Sequence, residues 1–232
     1  ACNRANQQTF TTVTAPPRGT ILPYSPAGPL VMTQGPEQSL YRAETYNDTT
    51  VGKDGNLKNA GSYENLSDVE VAVTQDNSQV LMAMSGSMKV DASALMAYQI
   101  YGNGEIVVLS QFLPNSNFAP NGLPKIGGRM MISGEFDNLT YYGRGPEENY
   151  VDRKSGYDVG VYQSVVYDYA NAMGADSTWD GWRMLKPQEN GNRTDIRWTA
   201  LTNDAGVGLM VTGSGLLESS VAHSTAEDMN AG

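Results

Sequence analysis

Cysteine and histidine are almost absent from this sequence, and their scarcity excludes several kinds of site. Among 232 residues there is one of each, Cys2 and His223. A single cysteine cannot form a disulfide within the chain, and a zinc site built from cysteine or histidine lacks enough ligands. A Ser-His-Asp triad would depend on His223 alone, and no Gly-x-Ser-x-Gly motif accompanies it. We therefore interpret His223 as a structural hydrogen-bonding residue.

Long apolar runs, nucleotide-binding loops and positive charge are also scarce. No run approaches the ~20 apolar residues of a membrane span, and the first residues, ACNRANQQTF, lack the apolar centre of a signal peptide. The GxxxxGK[ST] and GxGxxG loops that bind phosphates are missing. The sequence has 15 Lys+Arg and 25 Asp+Glu residues, which gives a formal net charge of −10. This charge repels phosphate backbones and anionic lipids, so we expect a soluble chain without nucleic acid or membrane partners.

What the sequence does contain is a series of short β-forming segments. From Asp68 onward, DVEVAVTQ, QVLMAMSGSM, ALMAYQIY and EIVVLSQFL show period-two alternation. The segments 102–104 (GNG) and 203–206 (NDAG) predict tight turns. Because no long segment of helical period separates these strands, we predict an all-β antiparallel sandwich over residues 35–232. Residues 1–34, rich in proline and glycine, are interpreted as an irregular lead-in or as edge strands.

Carboxylates are the remaining candidates for chemistry. Glu147, Glu148 and Asp152 lie in a glycine-rich stretch, and Glu189 and Asp195 lie in KPQENGNRTDIRW. Two of these groups could form the acid and nucleophile of a retaining glycosidase, which are held ~5–5.5 Å apart. We favour the alternative that the carboxylates pair with nearby arginines and fix the shape of the loops. The arginines concerned are Arg144, Arg153, Arg193 and Arg197.

Two tryptophans offer a separate possibility. Trp179 and Trp182, in STWDGW, could stack on the C–H face of a sugar ring. Equally, they could cover an edge of the sandwich with their N–H groups in water. The sequence leaves both alternatives open.

Three motifs taken together resemble a known family. They are YYGRGPEENYVDRKSGYDVGVY from Tyr141, LKPQENGNRTDIRWTALTNDAGVGLMVTG from Leu185, and HSTAEDM from His223. In this order and spacing they resemble the small-chain domain (the C-terminal domain, domain 5) of LacZ-type β-galactosidases of glycoside hydrolase family 2. An upstream segment, LYRAETYNDTTVG, resembles a further element of the family, with Glu44 and Tyr46 in place of its usual proline and aspartate.

The resemblance implies a fold and an active-site loop. The fold would be a large antiparallel two-sheet β-supersandwich of the galactose-mutarotase-like type, incomplete here at its C-terminal end. The stretch from Gly145 to Lys154 would be a mobile loop at the rim of the active site, with an Asp152–Arg153 pair stabilising one of its states. The implied loop residues are Gly143, Gly145, Pro146, Glu148, Asn149, Tyr150, Asp152 and Arg153. The implied supporting residues are Glu189, Asn190, Arg193 and Trp198, the last in the core.

The same resemblance implies that the chain carries no catalytic residue, metal ligand or cofactor of its own. In the family, the catalytic glutamates and most ligands of Mg and Na lie in other domains, above all in a TIM barrel that precedes this one. We therefore predict a non-catalytic segment of a retaining β-galactosidase, inactive alone, from the cytoplasm or periplasm of a bacterium. Its expected partners are a galactoside substrate such as lactose, the barrel, and further copies in a homo-oligomer. The alternative is a free-standing carbohydrate-binding β-sandwich that uses Trp179 and Trp182.

Overall fold

The computed structural model of the chain describes residues 10–12, 31–45, 63–118, 123–166 and 188–229. Within these ranges the chain forms antiparallel strands and one short helix, so the prediction of an all-β antiparallel fold is confirmed. The elements are β1 (Phe10–Thr12), β2 (Met32–Ser39), β3 (Tyr63–Thr74), β4 (Gln79–Met88), β5 (Ala92–Tyr101), β6 (Ile106–Pro114), β7 (Gly127–Ile132), β8 (Asn138–Gly145), β9 (Asp158–Val165), β10 (Arg193–Thr202), β11 (Gly208–Ser219) and α1 (Ala226–Met229). No helix in the described part is long and apolar enough to cross a membrane.

The chain divides into two compact units. The first contains residues 63–118 with β3 to β6, and the second contains residues 138–166 and 188–229 with β8 to β11 and α1. Strands β2 and β7 form a separate two-stranded sheet. The predicted boundary between residues 1–34 and 35–232 stays a prediction, since most of residues 1–34 lie outside the described residues.

The first unit is a sheet with the strand order β1-β3-β4-β5-β6. Strand β5 shows the predicted alternation, because Ala92, Ala94, Met96 and Tyr98 are all buried at every second position. The predicted turn at 102–104 joins β5 to β6: Gly104 has a φ of 90°, and its N–H donates to the carbonyl of Tyr101 at 3.1 Å. A residue without Cβ adopts this left-handed conformation at little cost.

The second unit is a sheet with the strand order β11-β10-β8-β9. Tyr141 in β8 lies opposite Tyr162 in β9 and Thr199 in β10, so the three side chains lie on the same face of the sheet. On this face Tyr141 and Thr199 are buried. The predicted turn at 203–206 joins β10 to β11, where the Asn203 side-chain oxygen accepts hydrogen bonds from two backbone N–H groups. After β11, His223 Nε2 lies 3.0 Å from Asp137 Oδ1. The interpretation of His223 as a structural hydrogen-bonding residue is confirmed.

Candidate functional site

The antiparallel arrangement of β8 and β10 brings two polar loops together. Strand β8 ends at Gly145, and β10 begins at Arg193 next to it, since the register pairs Tyr142 with Trp198. The loop after β8 (residues 146–157) therefore meets the segment before β10 (residues 188–192). We call these two segments the paired loops.

Asn149 joins the paired loops from the inside. Its side chain is fully buried, and its Nδ2 donates to the carbonyls of Arg144 and Glu147, both at 3.0 Å. Its Oδ1 accepts from the Thr194 N–H at 2.9 Å and from the Thr194 hydroxyl at 2.5 Å. Asn192 completes the contact, because its carbonyl accepts from the Asn149 N–H at 2.8 Å and its side chain donates back at 3.0 Å. Every hydrogen-bonding group of the Asn149 amide is thus used, as a buried amide requires.

A second contact is ionic and joins the 146–157 loop and β8 to strand β10. Asp195 lies between Arg144 Nε, at 2.5 Å, and Lys154 Nζ, at 2.8 Å. Hydrogen bonds from Lys154 and Arg144 hold the pKa of the Asp195 carboxyl below its ordinary value. Arg144 also donates to the carbonyl of Tyr157 at 2.6 Å. The far end of the 146–157 loop is therefore anchored to β8 and β10.

Glu148 makes a third contact. One carboxylate oxygen pairs with Arg153 Nη2 at 2.7 Å, and the other accepts from the Gly191 N–H at 2.8 Å. The Arg153 guanidinium lies over the Tyr150 ring, 4.7 Å from its centroid. The hydrogen bond to Glu148 raises the pKa of Arg153. The pKa of Tyr150 is also raised, mainly because the phenol is buried and to a smaller extent because the charge of Glu148 is near. Arg153 thus binds Glu148, whereas the resemblance implied a pair with Asp152.

Arginine pairing, which the sequence favoured for these carboxylates, is confirmed for Glu148 and Asp195. Arg193 and Arg197 act differently. Arg193 donates to the Tyr141 hydroxyl at 3.1 Å and to the Gly191 carbonyl at 2.9 Å, and Arg197 donates to the Asp195 carbonyl at 2.6 Å. These two arginines hold backbone and phenol oxygens instead of carboxylates.

Gly143 and Gly145 are needed for space. Neither is among the glycines with positive φ, which are Gly104, Gly191 and Gly206 in the described residues. A Cβ at Gly143 would lie 2.3 Å from Ile196 Cδ1, and one at Gly145 would lie 2.3 Å from the Tyr141 hydroxyl and 2.8 Å from the Tyr162 ring. The end of β8 therefore packs closely against aromatic and aliphatic side chains.

A cleft of about 330 Å³ opens beside the paired loops, entirely within the second unit. The Tyr141 and Tyr162 rings line it with centroids 5.5 Å apart, and the Tyr141 hydroxyl donates to the Pro146 carbonyl at 3.0 Å. Burial raises the pKa of Tyr141, more than the hydrogen bond from Arg193 lowers it. The polar lining residues are Glu147, Glu148, Gln163, Ser164, Gln188, Glu189, Asn190 and Arg193. In the described residues no group of His, Cys, Asp and Glu could hold a metal ion.

The structure brings most of the predicted site residues together and separates others. Gly143, Gly145, Pro146, Glu148, Asn149, Tyr150, Arg153, Glu189, Asn190 and Arg193 all lie in or next to the paired loops. Asp152 is exposed within the loop. Trp198 is only partly buried, and its register partner Tyr142 follows Tyr141 directly, so both lie on the opposite face of the sheet from the cleft. Trp179 and Trp182 lie outside the described residues.

Sequence reasoning missed several residues of the site. Asn192, Thr194 and Lys154 hold the loops, and Tyr141 and Tyr162 form the aromatic wall of the cleft. The two tyrosines could have been identified from the sequence, because both lie in strands, where every second side chain points to the same face of the sheet. Asn192 and Thr194 had none, because an uncharged side chain does not reveal a partner more than 40 residues away.

Comparison with known proteins gives one family and several relatives. The model of the family described as "Beta galactosidase small chain" matches residues 6–232. A β-galactosidase of Priestia megaterium is 34% identical over 134 residues, which cover 58% of this chain and 11% of the relative. One from Lactobacillus delbrueckii subsp. bulgaricus is 32% identical over 192 residues, covering 82% and 18%. One from Streptococcus thermophilus is 28% identical over 208 residues, covering 88% and 19%. The matched part thus spans less than a fifth of these relatives.

Proposed function

The chain belongs to the β-galactosidase small-chain family, and we propose that it is the non-catalytic C-terminal segment of a retaining β-galactosidase of glycoside hydrolase family 2. The family match over residues 6–232 is the observation that carries this proposal. The parent enzyme would hydrolyse terminal β-D-galactosides with glutamates in a barrel domain that precedes the segment. Its Mg and Na ions would likewise be bound mainly by other domains.

The state of the carboxylates supports a non-catalytic role. A glycosidase acid needs a raised pKa so that it can donate a proton near neutral pH. The pKa of Asp195 is instead lowered by Lys154 and Arg144, and Glu148 is bound by Arg153 and the Gly191 N–H. Glu148 thus joins the paired loops, and Asp195 holds the 146–157 loop and β8 to β10.

The 146–157 loop suits a role at the rim of the parent's active site. Asn149 anchors one end of the loop to β8 and β10, and Lys154 and Tyr157 anchor the other end. Between these anchors, Val151 is 69% exposed and Asp152 is exposed as well. An anchored loop with a free tip can contact a sugar or a neighbouring domain without loss of the fold beneath it.

An apolar strand supports packing against the rest of the parent. Strand β9 is an edge strand of the sheet in the second unit. Val159, Val161 and Val165 lie on the same face of it, and they are 39%, 60% and 58% exposed. Apolar side chains grouped in this way are typical of surfaces that another domain or subunit covers. The preceding domain or a second copy would be the covering partner.

A chimera tests the proposal. The chain replaces the equivalent C-terminal segment of the Lactobacillus β-galactosidase described above, and a chromogenic β-galactoside assay compares the chimera with the chain alone. We expect turnover by the chimera and none by the isolated chain. A truncated relative without any replacement segment is the control, and it should be inactive.

Two results would overturn the proposal. Turnover by the isolated chain would show that its own carboxylates are catalytic. A chimera that folds and assembles but does not turn over substrate would show that the segment does not supply what its relatives supply. The free-standing carbohydrate-binding alternative rests on Trp179 and Trp182, outside the described residues.

A further inference from the structure

Strand β6 is an edge strand of the sheet in the first unit, and no strand of the described residues pairs with its outer edge. The hairpin to β5 shows which backbone groups face outward. The Tyr101 N–H donates to the Glu105 carbonyl, so every second residue from Glu105 onward bonds to β5. The residues between them direct their N–H and C=O groups away from β5; they are Ile106, Val108, Ser110 and Phe112. With two groups on each residue, eight backbone groups line the outer edge.

The strand lacks the features that protect a sheet edge. Its nine residues, IVVLSQFLP, carry no charge, and proline occurs only at the last position. Its register with β5 continues without a bulge from Ile106 to Pro114. The opposite edge of the same sheet is the short strand β1, which has three residues. Long, regular and uncharged edges such as β6 are the ones that pair with a strand of another chain.

The side chains of β6 favour an apolar strand as the occupant of this edge. Val107, Leu109 and Leu113 share one face, and Leu109 is 59% exposed. On the other face Ile106 and Val108 are exposed as well. A strand added to the edge satisfies the outward backbone groups and covers these apolar side chains at the same time.

A second copy of β6 matches the edge in one antiparallel register. In this register Leu109 lies opposite Leu109 of the second copy, between two hydrogen-bonded pairs. The outward residues then pair with one another, Ile106 with Phe112 and Val108 with Ser110, so that all eight outward groups of each strand are used. Glu105, the charged residue next to the strand, lies opposite Leu113. In a chain with a net charge of −10, the uncharged β6 is thus a place where two copies meet without opposing charges.

We propose that β6 is an interface between two copies of this chain, which pair through it as antiparallel strands about a two-fold axis at Leu109. The two sheets join across this axis into one continuous sheet. Each copy contributes the same surface, as a two-fold interface requires. The inference is independent of the proposed function, because it concerns the first unit alone.

Disulfide trapping tests the register. In the chain of 232 residues Cys2 is replaced by serine, and Leu109→Cys is then introduced. Opposed residues of a non-hydrogen-bonded pair have Cα atoms about 4.5 Å apart, a distance that a disulfide spans. Copper–phenanthroline takes one electron from each thiol, the two protons are released, and the S–S bond forms. We expect a cross-linked dimer on a non-reducing gel.

Leu113→Cys in the same background is the matched control. It lies on the same strand and the same face, but the proposed register separates the two cysteines by eight strand positions. At about 3.4 Å per residue this is about 27 Å, so no cross-link should form.

Sedimentation velocity over a range of concentrations tests the interface without a cross-link. We expect the wild-type chain to show a reversible monomer–dimer equilibrium. Leu109→Lys places two ammonium groups directly opposite each other, so the Kd of the dimer should rise at least about tenfold. Val69→Lys makes the same charge change at an exposed valine of β3, which lies between β1 and β4, and it should leave the Kd unchanged.

Each other outcome overturns the inference. A wild-type chain that stays monomeric at every concentration has no such interface. A dimer that Leu109→Lys leaves intact uses another surface, and equal cross-linking by Leu113→Cys and Leu109→Cys reports random collision. If Leu109→Lys does not fold, as judged by circular dichroism, disulfide trapping decides alone. The chimera assay decides the proposed function separately, whichever result these tests give.

Discussion

Asn149 is the residue on which the paired loops depend most, and replacing it by alanine gives the sharpest prediction. The substitution removes four side-chain hydrogen bonds, two donated to the carbonyls of Arg144 and Glu147 and two accepted from Thr194. Asn149 and Thr194 are 0% and 1% exposed, so water does not replace these partners without rearrangement.

The magnitude follows from the number of bonds. At about 1 kcal/mol per buried hydrogen bond, Asn149→Ala lowers the free energy of unfolding of the second unit by about 4 kcal/mol. Asn149→Asp keeps the acceptor but turns a carboxylate oxygen toward two carbonyl oxygens, so we expect a loss of at least the same size. The matched control is Asn115→Ala in the first unit, where one exposed hydrogen bond to Asp91 is lost at a cost below about 1 kcal/mol.

Urea unfolding followed by far-ultraviolet circular dichroism measures this difference, because the strands of both units contribute to that signal. A loss for Asn149→Ala no larger than that for Asn115→Ala would refute the reasoning, because the buried amide would then contribute no more than a surface one.

Three further predictions concern residues of β8 and β10 next to the paired loops. Asp195→Asn removes the ion pairs with its two cation partners. Because the folded-state pKa of Asp195 is lowered, its contribution is complete above the ordinary carboxyl pKa of ~3.9 and is lost as the pH falls through the lowered value. The variant should be less stable than wild type at pH 7 in thermal melts, with the difference shrinking below about pH 4; a difference independent of pH contradicts this. Gly145→Ala should cost about 1–3 kcal/mol because its Cβ meets the Tyr141 hydroxyl. Gly156→Ala, where no atom lies within 4 Å, should cost little, and equal unfolding midpoints for the two would count against the packing argument. Tyr141→Phe breaks two hydrogen bonds and should cost about 1–2 kcal/mol in urea unfolding, and an unchanged midpoint would contradict this.

Much of the fold could be predicted from local patterns. Strands β3 to β6, and the turns at 102–104 and 203–206, follow from period-two alternation and from residues that favour turns. Strand β2 could not be predicted in this way, because it contains Gly35 and Pro36, which local propensity treats as strand breakers. Its partner β7 is about 90 residues away, and such pairing depends on tertiary structure.

The sequence predicted which residues belong to the candidate site better than it predicted the contacts between them. Family resemblance placed Glu148, Asn149 and Arg193 in or beside one loop. It did not predict that Asn149 is a buried connector or that Asp195 bridges two cations, because these roles depend on the register between β8 and β10. The reason for Gly145 could not be predicted either, because it is the lack of space beside the side chains of two tyrosines, Tyr141 and Tyr162.

The central claim is that the exposed tip of the 146–157 loop acts at the active site of a parent β-galactosidase, and kinetics of the chimera test it most directly. The double substitution Val151→Ala with Asp152→Ala changes side chains that are exposed in this unit, so the stability of the chain should not change. We predict a loss of about tenfold in kcat/KM for a chromogenic galactoside, as misplacement of a rim contact produces. The matched control, Val207→Ala with Asp204→Ala in the β10–β11 turn, should keep wild-type kinetics. Unchanged kcat and KM in the loop variant, with both chimeras folded, would contradict the account.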